Sequence, residues 1–436
     1  MARGRHRRRR RGVALRALLG GTALALTGAA TVISVSQATD DTPGGLQRLP
    51  AATGPVLREE AVPWPRLDAL ADRLGGAVPL RTVLREAEHP MPGGDDCADE
   101  GSLPAEPEAV RSYCWEKTDA RDEDWAPVSV AAPADSDRRW GEDPVIVSAW
   151  TRTGDADGPG SARVAFVDAG DPDRLTYTWG LLALPTPQAG DGPGEGYRAL
   201  GAELRGIVWY QDKLLATVGG PGGGETLHVF SLDRVHRAEG TRADDGSRFV
   251  LPAVASYRLR GAGCSEGDDG SACLGALSVD RSTSPDTLVA AERRDEGPSR
   301  LWRYTFSGYQ GREGLLSVDD SGFARPVESY RTEATGIRGV VAHRPEGAVE
   351  DRWYLAADPR EARGGRGALW AQSAGERTAR AARCGDYDLP FCWAAGARGL
   401  AYRSGTGELW GVADAAGDGE RTLFAVPLRA VDASLE

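Results

Sequence analysis

Lysine and histidine are scarce in this chain of 436 residues. Only two of the 52 Lys and Arg residues are lysines, a bias that we attribute to GC-rich codons and not to chemistry. We expect no metal-binding or acid–base role for the few histidines, because they form no cluster with cysteines that would suit a metal. Beyond the arginine-rich start of the chain the histidines are His89, His228, His236 and His343.

Basic charge is lacking once the N-terminal segment 1–38 is left out. This segment holds eight arginines and no acidic residue, so the rest of the chain has 44 basic and 64 acidic residues, a net charge of −20. Nucleic acids and anionic lipid or teichoic-acid surfaces repel such a protein. We therefore expect no nucleic-acid partner and a solvated, monomeric protein.

Cysteine spacings typical of zinc sites are also missing. The six cysteines instead fall into three pairs whose members lie close together in the sequence. An even count with paired spacing in an exported chain predicts disulfides, although fifteen connectivities are formally open. The connectivity that we predict is the local one: Cys97–Cys114, Cys264–Cys273 and Cys384–Cys392.

The N-terminal segment 1–38 has the pattern of a signal peptide. The basic run from Arg7 to Arg11 precedes an apolar stretch from about Ala17 to Ile33, and Ser36-Gln37-Ala38 suits cleavage. The apolar stretch is also long enough to stay as an uncleaved N-terminal membrane anchor. In either case we expect the rest of the chain to lie outside the cytoplasm, secreted in the first case and anchored in the second.

A β-rich unit begins five times along the chain. Its clearest starts are Arg-Gly pairs followed by apolar residues, at Arg205, Arg338 and Arg398, and weaker starts lie at Val128 and Gly275. The interval from one start to the next shortens along the chain. A repeat period of roughly 60 to 80 residues in a β-rich chain indicates a repeat architecture.

These units predict an all-β fold, a β-propeller of five blades with four antiparallel strands each; five to seven blades would fit the chain. The fifth unit offers only three strands, so we expect a strand N-terminal to residue 127 to complete the last blade and close the ring. In the fourth unit the expected strands are 339–343, 352–357, 367–372 and 379–383. A β-sandwich or a solenoid is the alternative architecture.

The predicted organisation has four parts. After the signal peptide or anchor at 1–38, residues 39–63 are rich in Thr, Pro, Gly and Ala and read as a flexible linker. Residues 64–126 carry leucines at spacings that allow short helices, and they include the ring-closing strand. The propeller itself spans 127–436.

The candidate ligand-binding residues are Arg205, Arg338 and Arg398. If the first strand of each unit is innermost, these arginines meet around the central channel, where guanidinium groups would bind a carboxylate, sulfate or phosphate. The alternative is structural, with each arginine pairing with an acid of a neighbouring blade; Glu203 and Glu333 are the acids nearby in sequence.

No catalytic set stands out. Acidic residues are plentiful, but nothing singles out the pair of carboxylates that a glycosidase needs. Gly263-Cys264-Ser265-Glu266-Gly267 matches the G-x-S-x-G motif of serine hydrolases, yet no helix pattern follows it and we treat it as chance. We expect no cofactor. Calcium is a weak alternative, for which the acidic runs Gly154–Gly158 and Glu266–Gly270 supply oxygen ligands.

Several segments resemble extracellular actinobacterial proteins that are described only as secreted proteins of unknown function. The resemblance covers about residues 110–260 and implies export and a propeller-like body, with no activity to transfer. The segments that carry it are Tyr113–Asp119, Asp124–Pro127, Gly206–Tyr210, Leu227–Leu232 and Pro252–Tyr257.

The sequence thus predicts a secreted, non-catalytic β-propeller that binds a carbohydrate or a small anionic ligand at its central channel. An extracellular polysaccharide hydrolase or lyase is one alternative. A structural or adhesion protein of the cell surface is another.

Overall fold

A computed structural model describes residues 42–94, 102–133, 145–152, 160–186, 196–219, 226–238, 246–260, 272–358, 365–414 and 421–435. Short strands dominate these residues, and helices are few and short. No described helix is long and apolar enough to cross a membrane. Residues 1–38, and with them the predicted signal peptide, lie outside the described residues.

The elements before residue 125 are short. In chain order they are β1 (Gln47–Leu49), β2 (Leu57–Ala61), α1 (Trp64–Arg73), α2 (Leu80–Arg85), β3 (His89–Met91), β4 (Arg111–Cys114) and α3 (Lys117–Ala120). The two longer helices each begin directly after a proline, Pro63 and Pro79, whose fixed φ suits a helix start. They bury Leu67, Leu70 and Leu80 and expose their polar residues.

Five groups of strands follow. The first has β5 (Trp125–Ala131), β6 (Val145–Arg152), β7 (Ser161–Asp168), β8 (Leu175–Pro185) and the short β9 (Tyr197–Ala199). The second has β10 (Glu203–Tyr210), β11 (Lys213–Gly219), β12 (Thr226–Ser231), β13 (His236–Arg237) and β14 (Phe249–Leu259). The third has β15 (Leu274–Asp280), β16 (Thr287–Glu292), β17 (Ser299–Thr305), β18 (Phe323–Ala324) and β19 (Glu328–Thr332).

The last two groups are smaller. The fourth has β20 (Ile337–His343), β21 (Arg352–Ala357) and β22 (Ala368–Ser373). The fifth has β23 (Ala397–Arg403), β24 (Glu408–Ala413) and β25 (Thr422–Pro427), and α4 (Leu428–Ser434) follows it. In each group the first strand pairs antiparallel with the second.

The first strands of the five groups form a closed ring. β5 contacts β10, β10 contacts β15, β15 contacts β20, β20 contacts β23, and β23 contacts β5 again. Each group is therefore one blade, and its first strand lines the central channel. The prediction of a five-bladed β-propeller is confirmed.

The ring closes through β4. This strand pairs antiparallel with β25, in a register that places Cys114 opposite Thr422 and Arg111 opposite Ala425. The fifth blade is thereby β23-β24-β25-β4, with its outer strand taken from the N-terminal side of the propeller. The prediction that a strand before residue 127 completes the last blade is confirmed.

The fourth blade differs from the prediction. No strand forms at 379–383, and the only pairing there is an isolated bridge between Ala371 and Arg380. The neighbouring backbone groups bond elsewhere: Gly45 N donates to Arg377 O and Ala379 N donates to Pro43 O, both at 2.8 Å. Residues 43–45 thus take hydrogen bonds that would otherwise extend a fourth strand.

The flexible linker predicted at 39–63 is wrong for most of its length. β1 pairs with β19 at the outer edge of the third blade, and β2 pairs with β14 at the outer edge of the second. An outer strand leaves backbone N–H and C=O groups unpaired, and an added strand satisfies them. Thr, Pro and Gly in this segment therefore mark the turns between short strands.

The hydrophobic core is divided among the contacts between blades. One cluster lies at each of the five contacts, and large aromatic side chains fill them. Trp209 lies between the first and second blades, Trp302 between the second and third, and Trp370 between the third and fourth. Tyr354 and Trp410 lie at the two remaining contacts. Each blade is thus stabilised mainly by its neighbours.

The inner strands approach one another backbone to backbone at the repeated glycines. A Cβ atom at Gly206 would lie 2.6 Å from Gly275 O, one at Gly339 would lie 2.7 Å from Gly399 C, and one at Gly399 would lie 2.7 Å from Ser129 Cα. All five inner strands also shift register against their second strand near this level. We call Gly206, Gly275, Gly339 and Gly399 the glycine layer. It is the physical reason for the repeat in the sequence.

We predict that Gly399→Ala destabilises the protein by about 3 kcal/mol or more, because the methyl group overlaps the backbone of β5 and the backbone is left-handed, with φ of +64°. Gly347→Ala is the matched control, since Gly347 has φ of +77° with no atom within 4 Å of its Cβ position. We expect it to cost only about 1 kcal/mol. Urea unfolding measures both; equal losses would contradict the role of the glycine layer.

Candidate functional site

The three arginines singled out in the sequence meet at one end of the channel. Arg205, Arg338 and Arg398 lie in β10, β20 and β23, each directly before a residue of the glycine layer. All three line one small cavity of about 20 Å³. The structure therefore brings them together as expected, and their binding of an anion stays a prediction.

A fourth arginine, Arg293, lines the same cavity. It lies just after β16, in the turn that leads to β17, and so outside any strand that faces the channel. Sequence reasoning missed it because it has no Arg-Gly pair and no counterpart in the other units. Burial lowers the pKa of Arg293, and the positive charge of Arg338 lowers it further, whereas Glu203 and Asp295 act in the opposite direction.

Acidic residues balance part of this charge. Arg338 Nη2 donates to Asp295 Oδ1 at 2.7 Å, and Arg293 Nε lies 3.8 Å from the same oxygen. Because Asp295 belongs to the third blade and Arg338 to the fourth, this pair matches the structural alternative. Of the two acids expected nearby, Glu203 lines the cavity, while Glu333 lies apart from it and accepts from Gly44 N at 3.0 Å.

Arg398 shares its acid with another arginine. Its Nε lies 3.6 Å from Asp414 Oδ2, and Asp414 Oδ1 accepts from Arg421 Nε at 2.9 Å. Arg338 Nη1 and Arg398 Nε are buried and donate no hydrogen bond to any described residue. Four guanidinium groups and one carboxylate therefore line the cavity, and Asp295 and Asp414 offset part of the positive charge.

The position of Arg205 depends on the absence of a side chain at Gly219. A Cβ atom at Gly219 in β11 would lie 2.3 Å from Arg205 Cζ, so the guanidinium group occupies the space that a side chain at Gly219 would need. The guanidinium group of Arg205 thus lies over the C-terminal end of β11. Any larger residue at position 219 would push Arg205 away from the other arginines.

The opposite end of the channel holds a larger cavity of about 350 Å³. All five inner strands or the turns after them contribute to its lining, with Val130, Trp209, Val279, His343 and Tyr402 among the residues. It shares no lining residue with the arginine cavity. In β10, β20 and β23 the repeated glycine lies between the two sets of lining residues, whereas in β15 Gly275 and Ala276 line the arginine cavity and the larger cavity begins at Leu277. The two ends of the channel are therefore separate chambers.

Carboxylates are rare at both ends. Among the described residues that line the two cavities, Glu203 is the single acid. Two acids outside these linings have structural partners: buried Asp280 pairs with Arg303, and Asp122 Oδ1 accepts from Trp125 N. The convergent pair that glycoside hydrolysis requires is not present among these lining residues.

His89, Glu116 and Asp119 are the one described group with metal-ligand spacing, their ligand atoms lying within 4.8 Å of one another. However, Asp119 accepts from Arg163 Nη2 at 3.1 Å and from the Tyr177 hydroxyl, and His89 Nδ1 lies 2.7 Å from Glu116 Oε2. A buried guanidinium at this distance disfavours a cation. The cluster instead joins β3 and α3 to the first blade.

Burial lowers the pKa of each of the other three described histidines. Burial, followed by the charges of Arg258 and Arg198, lowers the pKa of His228 in β12 to about 4. His236 Nδ1 lies 2.9 Å from Gly76 O, and burial lowers the pKa of its ring. Burial also lowers the pKa of His343, whose ring lies 4.8 Å from that of Tyr402.

One of the three predicted disulfides is confirmed: Cys384 and Cys392 are bonded. Cys114 and Cys273 are also disulfide-bonded, but their predicted partners Cys97 and Cys264 lie outside the described residues. The G-x-S-x-G motif at 263–267 and the acidic runs at 154–158 and 266–270 lie outside them as well.

Comparison with known proteins gives similarity at the level of solved structures only. No known protein family and no curated protein matches the sequence. The periplasmic gluconolactonase of Pseudomonas aeruginosa is 13% identical with a TM-score of 0.31, over 76% of this chain and 81% of that one. The catalytic domain of the GH62 α-L-arabinofuranosidase of Coprinopsis cinerea is 10% identical with a TM-score of 0.32, over 77% and 96%.

The haemagglutinin-neuraminidase ectodomain of parainfluenza virus 5 is 8% identical with a TM-score of 0.30, over 95% of this chain and 97% of that one. At such low identities and TM-scores, the activity of none of these three proteins can be assigned to this chain. The candidate sites therefore rest on their own geometry.

We predict that His228 makes the protein sensitive to acid. Its folded-state pKa of about 4 lies below the ordinary value of 6.5, so its contribution to stability is present above pH 6.5 and is lost as the pH falls toward 4. Between pH 7.5 and 5.0 the loss from this group is about 2 kcal/mol.

His228→Gln and His228→Asn should both lose less stability than the wild type over this pH range, by that amount, in urea unfolding. The two variants control for each other, because they differ in packing but equally lack the titrating ring. A pH dependence that is unchanged from the wild type would contradict the prediction.

Proposed function

We propose that this protein is an exported, non-catalytic binding protein that holds an anionic small molecule at the arginine end of its channel. The proposal rests on one observation: a single cavity is lined by four arginines, Arg205, Arg293, Arg338 and Arg398. Such a concentration of positive charge in a chain of strongly acidic composition favours a negatively charged ligand.

The chemistry of arginine supports this class of ligand. Guanidinium groups bind carboxylate, sulfate and phosphate through paired N–H donors, and a partly buried site strengthens these bonds. Burial and then the charge of Arg338 lower the pKa of Arg293, and an anion bound among the four side chains would offset both effects. The cavity of about 20 Å³ has room for about one water molecule, so only the oxygen atoms of an anion would enter it, either those of a free ion or those of the acidic group of a larger molecule.

The arginine cavity suits a neutral carbohydrate less well than an anion. Sugars are commonly held by exposed aromatic rings, and the described lining of the arginine cavity has no aromatic residue. The hydrolase or lyase alternative would need two or three convergent carboxylates, whereas Glu203 is the single acid in that lining. Anion binding without catalysis is therefore the function that we propose.

Export is part of the proposal. The Cys384–Cys392 disulfide supports it, because disulfides form and persist in oxidising compartments. The basic and then apolar residues of 1–38 support it as a signal peptide or an N-terminal anchor.

We predict that sulfate or malonate raises the melting temperature of the wild-type protein more than that of Arg338→Gln, because excluded salts stabilise both proteins alike and only a bound anion distinguishes them. Arg398→Gln and Arg338→Gln should each weaken sulfate binding about 10-fold or more in titration calorimetry, since each removes a charged hydrogen-bond donor. The matched control is Arg325→Gln: Arg325 also pairs with an aspartate through Nε, at 3.2 Å, but lies exposed at the surface.

The structural alternative predicts a different outcome. If the arginines only link blades, the two variants melt at lower temperature, while sulfate and malonate raise the melting temperatures of the wild type and the variants equally. That result would overturn the proposed function.

A further inference from the structure

The cavity at the other end of the channel has the size and lining of a small-molecule site. Its volume of about 350 Å³ lies within the range of such sites, about 300 to 1,000 Å³. Aliphatic side chains from several blades form its walls, including Val130, Ile207, Val279 and Leu400. Binding sites for small molecules commonly combine such apolar walls with a few polar groups.

The polar groups in this lining are few and come from different blades. His343 and Tyr402 lie on the fourth and fifth blades with their rings 4.8 Å apart, and Ser278 and Ser282 lie on the third. Polar groups of this number can orient a ligand in an otherwise apolar cavity.

The cavity has almost no net charge. No carboxylate belongs to its described lining, and burial favours the neutral form of His343 by lowering its pKa. Arg281 is the one charged residue in that lining; its Nη1 lies 3.3 Å from Asp286 Oδ2 and its guanidinium packs over the ring of Tyr210 at 5.0 Å. The lining therefore gives an ion no charged group other than Arg281, whose charge Asp286 offsets.

We infer that this cavity binds a neutral small molecule with an apolar body and one or two hydrogen-bonding groups. The site is distinct from the arginine cavity in lining, charge and size, and Gly206, Gly339 and Gly399 lie between the two linings in their strands. The inference does not depend on the anion site, because no residue is shared between the two.

A matched pair of fluorescent probes tests the inference. N-phenylnaphthylamine is neutral, and anilinonaphthalene sulfonate has the same aromatic rings with an added negative charge; both brighten on entering an apolar site. We expect the full-length protein to bind one equivalent of the neutral probe at least 10-fold more tightly than the anionic one. No saturable binding of the neutral probe, or equal affinity for the two, would overturn the inference.

Variants locate the probe. Val279→Trp should fill the partly buried wall of the cavity and lower the affinity for the neutral probe at least 10-fold, and Ser404→Trp at the exposed rim should lower it without disturbing the core. Val327→Trp is the control, because Val327 is 51% exposed and outside the cavity lining. Binding that is unchanged in both cavity variants, or equally weakened in the control, would overturn the inference.

The two proposals fail separately. Arg398→Gln should leave binding of the neutral probe unchanged while it weakens sulfate binding. If the wild-type protein binds sulfate but not the neutral probe, or the reverse, the result identifies which of the two proposals is wrong.

Discussion

The close approach of the inner strands at the glycine layer is the constraint on which the rest of this structure depends. Gly206, Gly339 and Gly399 place backbone against backbone, at distances that no Cβ atom would permit. Because the inner strands meet there, the blades can pack their aromatic residues against one another and β4 can reach β25 to close the ring. The same contact divides the channel into two chambers.

The sequence was most informative where backbone geometry restricts the residue type. A repeated glycine is visible because only glycine fits, so four of the five inner strands were predictable from it, and counting strands in each unit predicted the missing strand of the last blade. The added outer strands β1 and β2 were not, because an outer edge accepts almost any short segment that can supply backbone hydrogen bonds. The absent fourth strand near Arg380 follows from the same competition for backbone groups.

The candidate site was predictable to a similar extent. Three arginines could be found because they precede repeated glycines, whereas Arg293 lies in a turn without a counterpart in the other units. The partners Asp295 and Asp414 also come from turns, and their contacts depend on how neighbouring blades pack. The large cavity has no signal in the sequence at all, since its lining is mostly ordinary aliphatic residues at the ends of inner strands.

The central claim is that one channel contains two chambers of different chemistry, separated by the glycine layer. Anomalous diffraction from a crystal soaked in selenate and para-bromophenol tests it most directly, because selenium and bromine can be located separately. The account predicts selenium beside Arg338 and Arg398 and bromine in the cavity beside Val279 and His343. Both elements on one side of the glycine layer, or neither in the channel, would contradict it.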